Sequence, residues 1–456
     1  MIDSKTIEKV VYDLCVEANT KLPDDVFAKI LDAYNLETNE DAKQALGLIL
    51  ENAQMAYEKK MPLCQDTGQV LVFVKGKDIP SNIKEIVNNA VSKAYDENFY
   101  RKSVIKNAFF DRTNTKTNTP CVVYTEVTEG EIEIDLLLKG GGSENVCDIK
   151  MLSPTASKDE IVEYAVSVIK KAGAKACPPY FLGIGIGGTI EYAGFLSKKA
   201  LFLKENIDQN HQNLAEKIRN AVNKLEIGAA GLGGASTALD VKILTGFTHI
   251  ASMPVAVTVN CHSTRHAGWR ERGKEGKRES RNFALQNSNL FNCSTKVHTS
   301  DIETLKSLMP GQNILLSGEI YTARDMAHKR LIEMIENKED LPFDLKNKII
   351  FYAGPCPCKE PCVVGSIGPT TASRMDKYAA VLYEKGVLAT IGKGERSEEI
   401  KIAAKQNGGL YFTAIGGIAC YLAQKFVKKE LIAFEDLGTE AIYRFEVKDL
   451  PLRVAF

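Results

Sequence analysis

Between residues 4 and 59 apolar side chains recur at spacings of three and four, as at Ile7, Val10, Val11 and Leu14, which predicts a run of helices. "QVLVFVKG", residues 69 to 76, has the uninterrupted apolar character of a strand. "CVVYTEVTEGEIEIDLLLKG", residues 121 to 140, alternates on both sides of Glu129 and Gly130, which predicts a β-hairpin. Helical patterns follow in "KDEIVEYAVSVIKKAG" and "NLAEKIRNAVNKL", then a strand in "MPVAVTVNC", residues 253 to 261. From Arg265 to Arg281 the chain is basic, polar and glycine-containing, the composition of a linker or exposed flap. Beyond it, "NILLSGEIYTARDMAHKRLIEMIENK" reads as strand, loop and helix, "KNKIIFYAGP" as a strand, and "RMDKYAAVLYEKG" as a helix closed by Gly386. This alternation predicts an α/β protein with a domain boundary near residues 285 to 297.

Length adds a prior of about three domains, and 44% apolar residues is ample for their cores. Lys plus Arg and Asp plus Glu are equal at 58 each, so no overall field favours nucleic acid or an anionic membrane, and a small molecule is the better partner. The N-terminus lacks the apolar core of a signal peptide and no membrane-length apolar run occurs, which leads us to expect a cytoplasmic protein. Eleven cysteines, an odd number, then argue for free thiols. Cys15, Cys121 and Cys420 read as small core hydrophobes.

Some motifs invite chemistry. Gly183, Gly185 and Gly188 in "GIGIGG" have the spacing of a dinucleotide fingerprint, but Pro178 and Pro179 precede them and no acidic strand end follows, so close backbone packing explains them better. "GPCPCKEPC" places Cys356, Cys358 and Cys362 together without a nearby fourth metal ligand, leaving free thiols or a local metal site open. Cys64 in "MPLCQDTGQV", Cys177 in "KACPPYF" and Cys261 in "VTVNCHSTRH" each sit at a loop or strand end. Three such thiolates could hold a cuboidal iron-sulfur cluster with one iron left open as a Lewis acid, although three cysteines can be chosen from eleven in many ways. In "GSIGPTTASRMDKYAAVLYEKG" Thr370 or Thr371 falls at a helix start with Arg374 in its first turn, a place that suits an anion or is simply a capped helix. Arg324 and Lys393, also at strand-to-helix junctions, would complete a cationic pocket for a dicarboxylate.

Taken in order, "PLCQDTG", "LKGGGSEN", "KACPPYFLGIGIGGT", "VNCHSTRHA", "LLSGEIYTARDMAHKR", "GPTTASRMD" and "IGKG" resemble the class I fumarate hydratases and the related L-tartrate dehydratases over nearly the whole chain. The resemblance implies an α-type cluster-binding portion at residues 1–290 and a β-type swivelling β/β/α domain at 297–456, with the active site between them. It implies a 4Fe-4S cluster on Cys64, Cys177 and Cys261, with substrate on the fourth iron. Gln65, Arg101, Gly141 or Gly142, Arg324, Thr370, Arg374 and Lys393 would contact the dicarboxylate. Thr370 would remove the C3 proton, and Asp66 with His249 would protonate the leaving hydroxyl. A homodimer, with no nucleic-acid or membrane partner, is implied as well.

Two stretches depart from the family pattern: the thiols Cys356, Cys358 and Cys362 stand where small residues are usual, and the segment after Cys261 lacks the usual aromatic and paired arginines. The activity implied is reversible hydration of fumarate to (S)-malate, with L-tartrate dehydration as the same-class alternative. An electron-transfer iron-sulfur protein and a zinc-dependent binding module are the alternatives from other classes.

Overall fold

The computed structural model describes residues 2–271, 293 and 295–456. Its contacts divide the chain into two compact units, Met1–Ser288 and Asn289–Phe456, fewer than length alone suggests. The first opens with α1 (Ser4–Thr20), α2 (Asp24–Leu36) and α3 (Glu40–Lys59), the helices that the spacing predicts. Asp3 starts α1 by accepting the Thr6 N–H at 2.9 Å, and Asn39 does the same for Ala42 in α3, satisfying donors that the helices cannot pair internally. There follow β1 (Gln69–Gly76), α4 (Ile83–Glu97), β2 (Val122–Val127), β3 (Glu133–Lys139), the short α5 (Gly141–Glu144), β4 (Asp148–Leu152) and α6 (Lys158–Ala172). The unit then continues through β5 (Tyr180–Ile186), α7 (Ile190–Ala200), α8 (Gln209–Asn223), β6 (Ala238–Thr245), β7 (Met253–Asn260) and β8 (Arg265–Arg270).

Two sequence expectations fail here. β2 and β3 do not form a hairpin: β1 lies between them, parallel to β2 and antiparallel to β3, in the sheet order β2-β1-β3-β8. β1 is buried from Val70 to Val74 and needs a partner on each edge, whereas the half-exposed β2 suits an edge. Arg265 to Arg270 is not linker but strand, pairing Arg265 with Leu138 and Arg270 with Glu133. The rest of that predicted flap, 272–281, and most of the predicted domain boundary lie outside the described residues.

A second sheet runs β4-β7-β5-β6. The layers of this unit are α1 with α4, the first sheet, α7, the second sheet, and α6 with α8. Because α7 is packed between two sheets, its approach to β5 is close: a Cβ at Gly183 would lie 2.0 Å from the Ser197 carbonyl oxygen, and one at Gly185 2.1 Å from that of Ala193. A strand does lead into the glycine motif, contrary to what the prolines suggested, but those two glycines make room for a helix. On the opposite face of α7, Phe195 packs against Phe73 and Tyr124 of the first sheet.

The second unit comprises β9 (Lys296–His298), α9 (Ile302–Lys306), β10 (Asn313–Thr322), α10 (Asp325–Glu336), β11 (Ile349–Phe351), α11 (Asp376–Glu384) and β12 (Ala389–Gly392). It ends with α12 (Glu398–Gln406), β13 (Leu410–Thr413), α13 (Ala419–Ala423), β14 (Phe426–Ala433) and β15 (Ile442–Val454). β9 to β13 are parallel neighbours, and β15 pairs antiparallel both with β10 and, at its end, with β13, so the strands close into a ring. Gly386, at φ 92°, stops the chain after α11 as its position predicts. Cys15 and Cys420 are fully buried, while Cys121 is only partly so, against the core under α1 and α4. Among the described residues no helix is long and apolar enough to cross a membrane.

Candidate active site

In the first unit strand register gathers the chemistry. β5 begins three residues after Cys177, its antiparallel partner β7 ends one residue before Cys261, and Phe181 faces Asn260, so both thiols sit at one end of that pair. The link from Cys261 to Thr264 carries the chain into β8, where Arg265 pairs with Leu138, and the next residue of β3, Lys139, pairs with Gln69 at the start of β1. The turn holding Cys64, the turn after β3 and the β7–β8 link therefore share one end of the first sheet.

Local contacts agree. The His262 N–H donates to the Cys177 carbonyl at 3.3 Å. Burial raises the Cys64 thiol pKa, Arg265 opposes this, and Asp66 and the Cys177 thiol add to it. The Tyr180 hydroxyl is pushed up by burial first, then by Cys177 and Cys261. Cys177 holds φ at 58°, a left-handed conformation uncommon outside glycine. Among the described residues no three His, Cys, Asp or Glu side chains stand close enough to share a single ion. Three soft sulfur donors from separate loops, beside a buried guanidinium, fit a larger thiolate-bound group of the iron-sulfur type better than one ion.

Asp66 is tied on both oxygens. Oδ2 accepts the Gly141 N–H at 2.8 Å; Oδ1 accepts that of Gly68 at 3.2 Å and pairs with Arg101 Nη2 at 3.3 Å. Burial alone would raise its pKa, but Arg101, Arg265 and these amides outweigh burial and hold it below the usual carboxylate range. Gln65 is buried, and its Oε1 accepts from Cys64 Sγ at 3.5 Å. Gly141 is exposed with its N–H committed to Asp66, and Gly142 follows in the same short turn.

Two residues here escaped sequence reasoning. Arg265, only 2% exposed, donates from Nη1 to the Asp66 carbonyl at 2.5 Å. Its signal was its place, four residues after Cys261 at the end of an apolar run. Lys139, 3% exposed inside the quoted "LKGGGSEN", donates to Ser143 Oγ and to the Val259 carbonyl, both at 2.8 Å, and pairs with Glu144 at 3.5 Å. It ties the end of β3 to β7, one residue before Asn260. Lys139→Met is expected to destabilise the protein by about 3 kcal/mol, since it strands buried acceptors. Urea unfolding reads this directly, and a change below about 1 kcal/mol would mean that the tie is unimportant.

His249 is placed differently. It lies exposed in the loop from β6 to β7, accepting the Ala251 N–H on Nδ1 at 3.1 Å. β7 separates that loop from Cys261 by eight residues, a strand length of about 26 Å. Within one chain the structure does not bring His249 to Asp66.

In the second unit, Arg324 follows β10, the segment leading to Thr370 follows β11, and Lys393 follows β12. These are the carboxyl ends of adjacent parallel strands, the end at which ligands bind in α/β barrels and open α/β sheets alike. Thr371 bridges to Lys393, the Lys393 N–H donates to the Thr370 carbonyl at 3.1 Å, and Arg374 Nη1 donates to Thr370 Oγ1 at 2.9 Å. Thr371 begins a short 3-10 turn without a side-chain cap, so the helix start here is not a plain threonine cap. Both arginines also hold carboxylates. Arg324 Nη2 donates to Glu440 at 2.8 Å, and Arg374 grips Asp325 with two nitrogens. Burial would raise the Asp325 pKa, but Arg374 and Arg324 hold it down. Three cations against two carboxylates leave a single net positive charge, less than the sequence alone suggests.

A family model described as "Fumarate hydratase (Fumerase)" matches residues 8–270, and one described as "Fumarase C-terminus" matches 271–456. A protein named putative fumarate hydratase class I from Geobacillus stearothermophilus is 30% identical over 481 aligned positions, covering 96% of this chain and 92% of its own. The anaerobic class I fumarate hydratase of Escherichia coli is 30% identical over 458, covering 92% and 82%. A putative L(+)-tartrate dehydratase subunit alpha from Methanocaldococcus jannaschii is 40% identical over 273, covering 57% of this chain and 96% of its own. With both models together spanning residues 8–456, the chain belongs to the class I fumarate hydratase family.

Proposed function

We propose that this chain is a cytoplasmic hydro-lyase that interconverts fumarate and (S)-malate. The observation that carries the reading is the pairing of Thr370 Oγ1 with Arg374 Nη1 at 2.9 Å, at strand ends that also present Arg324 and Lys393. A hydroxyl serves as a base only where its alkoxide is stabilised, and a guanidinium donor does that. Arg324, Arg374 and Lys393 hold the substrate carboxylates and offset the charge that develops as the C3 proton leaves to Thr370. Gln65 and Arg101 orient the dicarboxylate near Asp66, and the Gly141–Gly142 turn lets its backbone approach. Cys64, Cys177 and Cys261 would hold a 4Fe-4S cluster, which supplies a Lewis acid for the hydroxyl that departs.

The acid role of His249 next to Asp66 requires a second copy of the chain, because one chain keeps the two apart. Exposed Phe247 and Ile250 in the His249 loop, with Ile149, Met151, Ile190 and Tyr192 on neighbouring elements, form an apolar surface that supports a homodimer there. Mixed dimers of Asp66→Asn and His249→Asn, each inactive alone, are expected to regain about a quarter of parental turnover if half the dimers are mixed and each has one intact site. Continued inactivity of verified mixed dimers would remove His249 from this role.

Tartrate dehydration is the second reading, favoured by the 40% identity to the tartrate dehydratase subunit. Anaerobic assays decide between them: kcat/KM for malate should exceed that for L-tartrate by about a hundredfold or more. The reverse order would assign tartrate.

A further inference from the structure

The thiols after β11 have no part in the reaction above, and their geometry has its own logic. The Cys356 N–H donates to the Ser366 carbonyl at 2.9 Å, and a Cβ on Gly365 would lie 2.4 Å from the Pro357 carbonyl oxygen. The two ends of the segment are thus pressed together, and residues 357–364 form a closed excursion. At its tip the Cys362 N–H donates to the Lys359 carbonyl at 3.1 Å, a tight turn that folds Cys362 back over Cys358. Cys358 Sγ lies 3.0 Å from the Cys362 carbonyl oxygen, and Cys362 Sγ donates to the Val364 carbonyl at 3.0 Å. Cys362 is exposed, Cys358 half-buried, and Cys356 only 2% exposed.

We propose that Cys358 and Cys362 form a reversible redox pair that a peroxide oxidises to a disulfide. The exposed Cys362 thiolate attacks the peroxide oxygen and breaks the O–O bond, giving a sulfenic acid and one water after protonation. The Cys358 sulfur then attacks the Cys362 sulfur, forming the S–S bond and expelling the second oxygen as water. Two thiols and one hydrogen peroxide thus become one disulfide and two waters, and a dithiol reductant reverses the change. Cys362 is exposed and Cys358 half-buried, so Cys362 meets the peroxide first and Cys358 resolves; burial and the neighbouring Cys362 also push the Cys358 thiol up to about 11. The Cys362 thiol is already a side-chain hydrogen-bond partner of the Cys358 thiol, so the bond would form between neighbouring groups. The bond would lock the excursion that leads into Thr370.

Tryptic cleavage after Lys359 separates Cys356 and Cys358 from Cys362, so a bond identifies itself as a cross-linked pair of peptides, 349–359 with 360–374. The purified full chain is treated anaerobically with one equivalent of hydrogen peroxide, free thiols are blocked, and the digest is read by mass spectrometry. This readout is independent of turnover. The cross-linked pair is expected in the parent and in Cys356→Ser, to vanish in Cys358→Ser, and to disappear when dithiothreitol precedes blocking. Free Cys358 and Cys362 after treatment, irreversible oxidation of Cys362 without a cross-link, or a cross-link that survives in Cys358→Ser would each overturn the proposal.

Discussion

Replacing Cys64, Cys177 or Cys261 singly by serine is expected to abolish hydration of fumarate, with kcat falling at least about a thousandfold, and to strip iron from the anaerobically purified protein. The magnitude follows from the several kcal/mol that a Lewis acid contributes when hydroxide must leave, at about 1.4 kcal/mol per tenfold in rate. Serine preserves size and hydrogen bonding but replaces a soft thiolate by a hard hydroxyl, so the loss reports ligand chemistry rather than packing. Cys147→Ser is the matched control. That thiol sits close by, accepting the Val259 N–H at 3.3 Å and donating to the Ser143 carbonyl at 3.2 Å, but on α5's side of β7 and outside the proposed ligand set. It should keep its iron. Iron and sulfide quantitation with the visible spectrum provide the readout besides turnover, and any one of the three variants with parental iron and activity would refute the ligand set. A protein with four thiolate ligands and reversible reduction indifferent to malate would point instead to electron transfer.

Thr370→Val should lower kcat about a thousandfold while KM for malate changes little, the loss of a positioned proton acceptor. Valine matches the shape of threonine, so the two arginines and the lysine that hold the substrate carboxylates stay in place and only the acceptor for Arg374 Nη1 disappears. Thr370→Ser should retain much of the activity. A more selective readout is exchange of the malate C3 proton with solvent deuterium, which valine should suppress and serine should not. Exchange at the parental rate in the valine variant would mean that another group takes the proton.

The chemistry was more legible in the sequence than the topology was. Cys64, Gln65 and Asp66 are consecutive, and the spacing from Thr370 to Arg374 places a guanidinium over a hydroxyl on one local turn, so a reader of the chain needs no third dimension to pair them. Arg265 was hidden because its polar neighbours look like a flap, and only pairing with Leu138 shows it to be the buried first residue of a strand. Lys139 was hidden because a lysine beside three glycines reads as surface until Val259, 120 residues later, supplies the carbonyl that buries it. The cationic pocket was overstated since Asp325, inside the quoted motif of Arg324, reads as a helix-start residue until Arg374 is seen to grip it, and Glu440, which holds Arg324, stands 116 residues away in a stretch with no motif.

By itself the sequence determined the residue types, the helices and strands with strong local periodicity, and the thiols, carboxylate, hydroxyl and cations available to the site, because these depend on neighbours a few positions apart. Only the tertiary structure decided that β1 separates β2 from β3 and that His249 lies at the far end of β7 from Cys261. It also decided that the Cys64 turn meets the β7–β8 link. Those outcomes turn on which apolar face is buried against which distant strand, a competition among long-range pairings that no local pattern encodes.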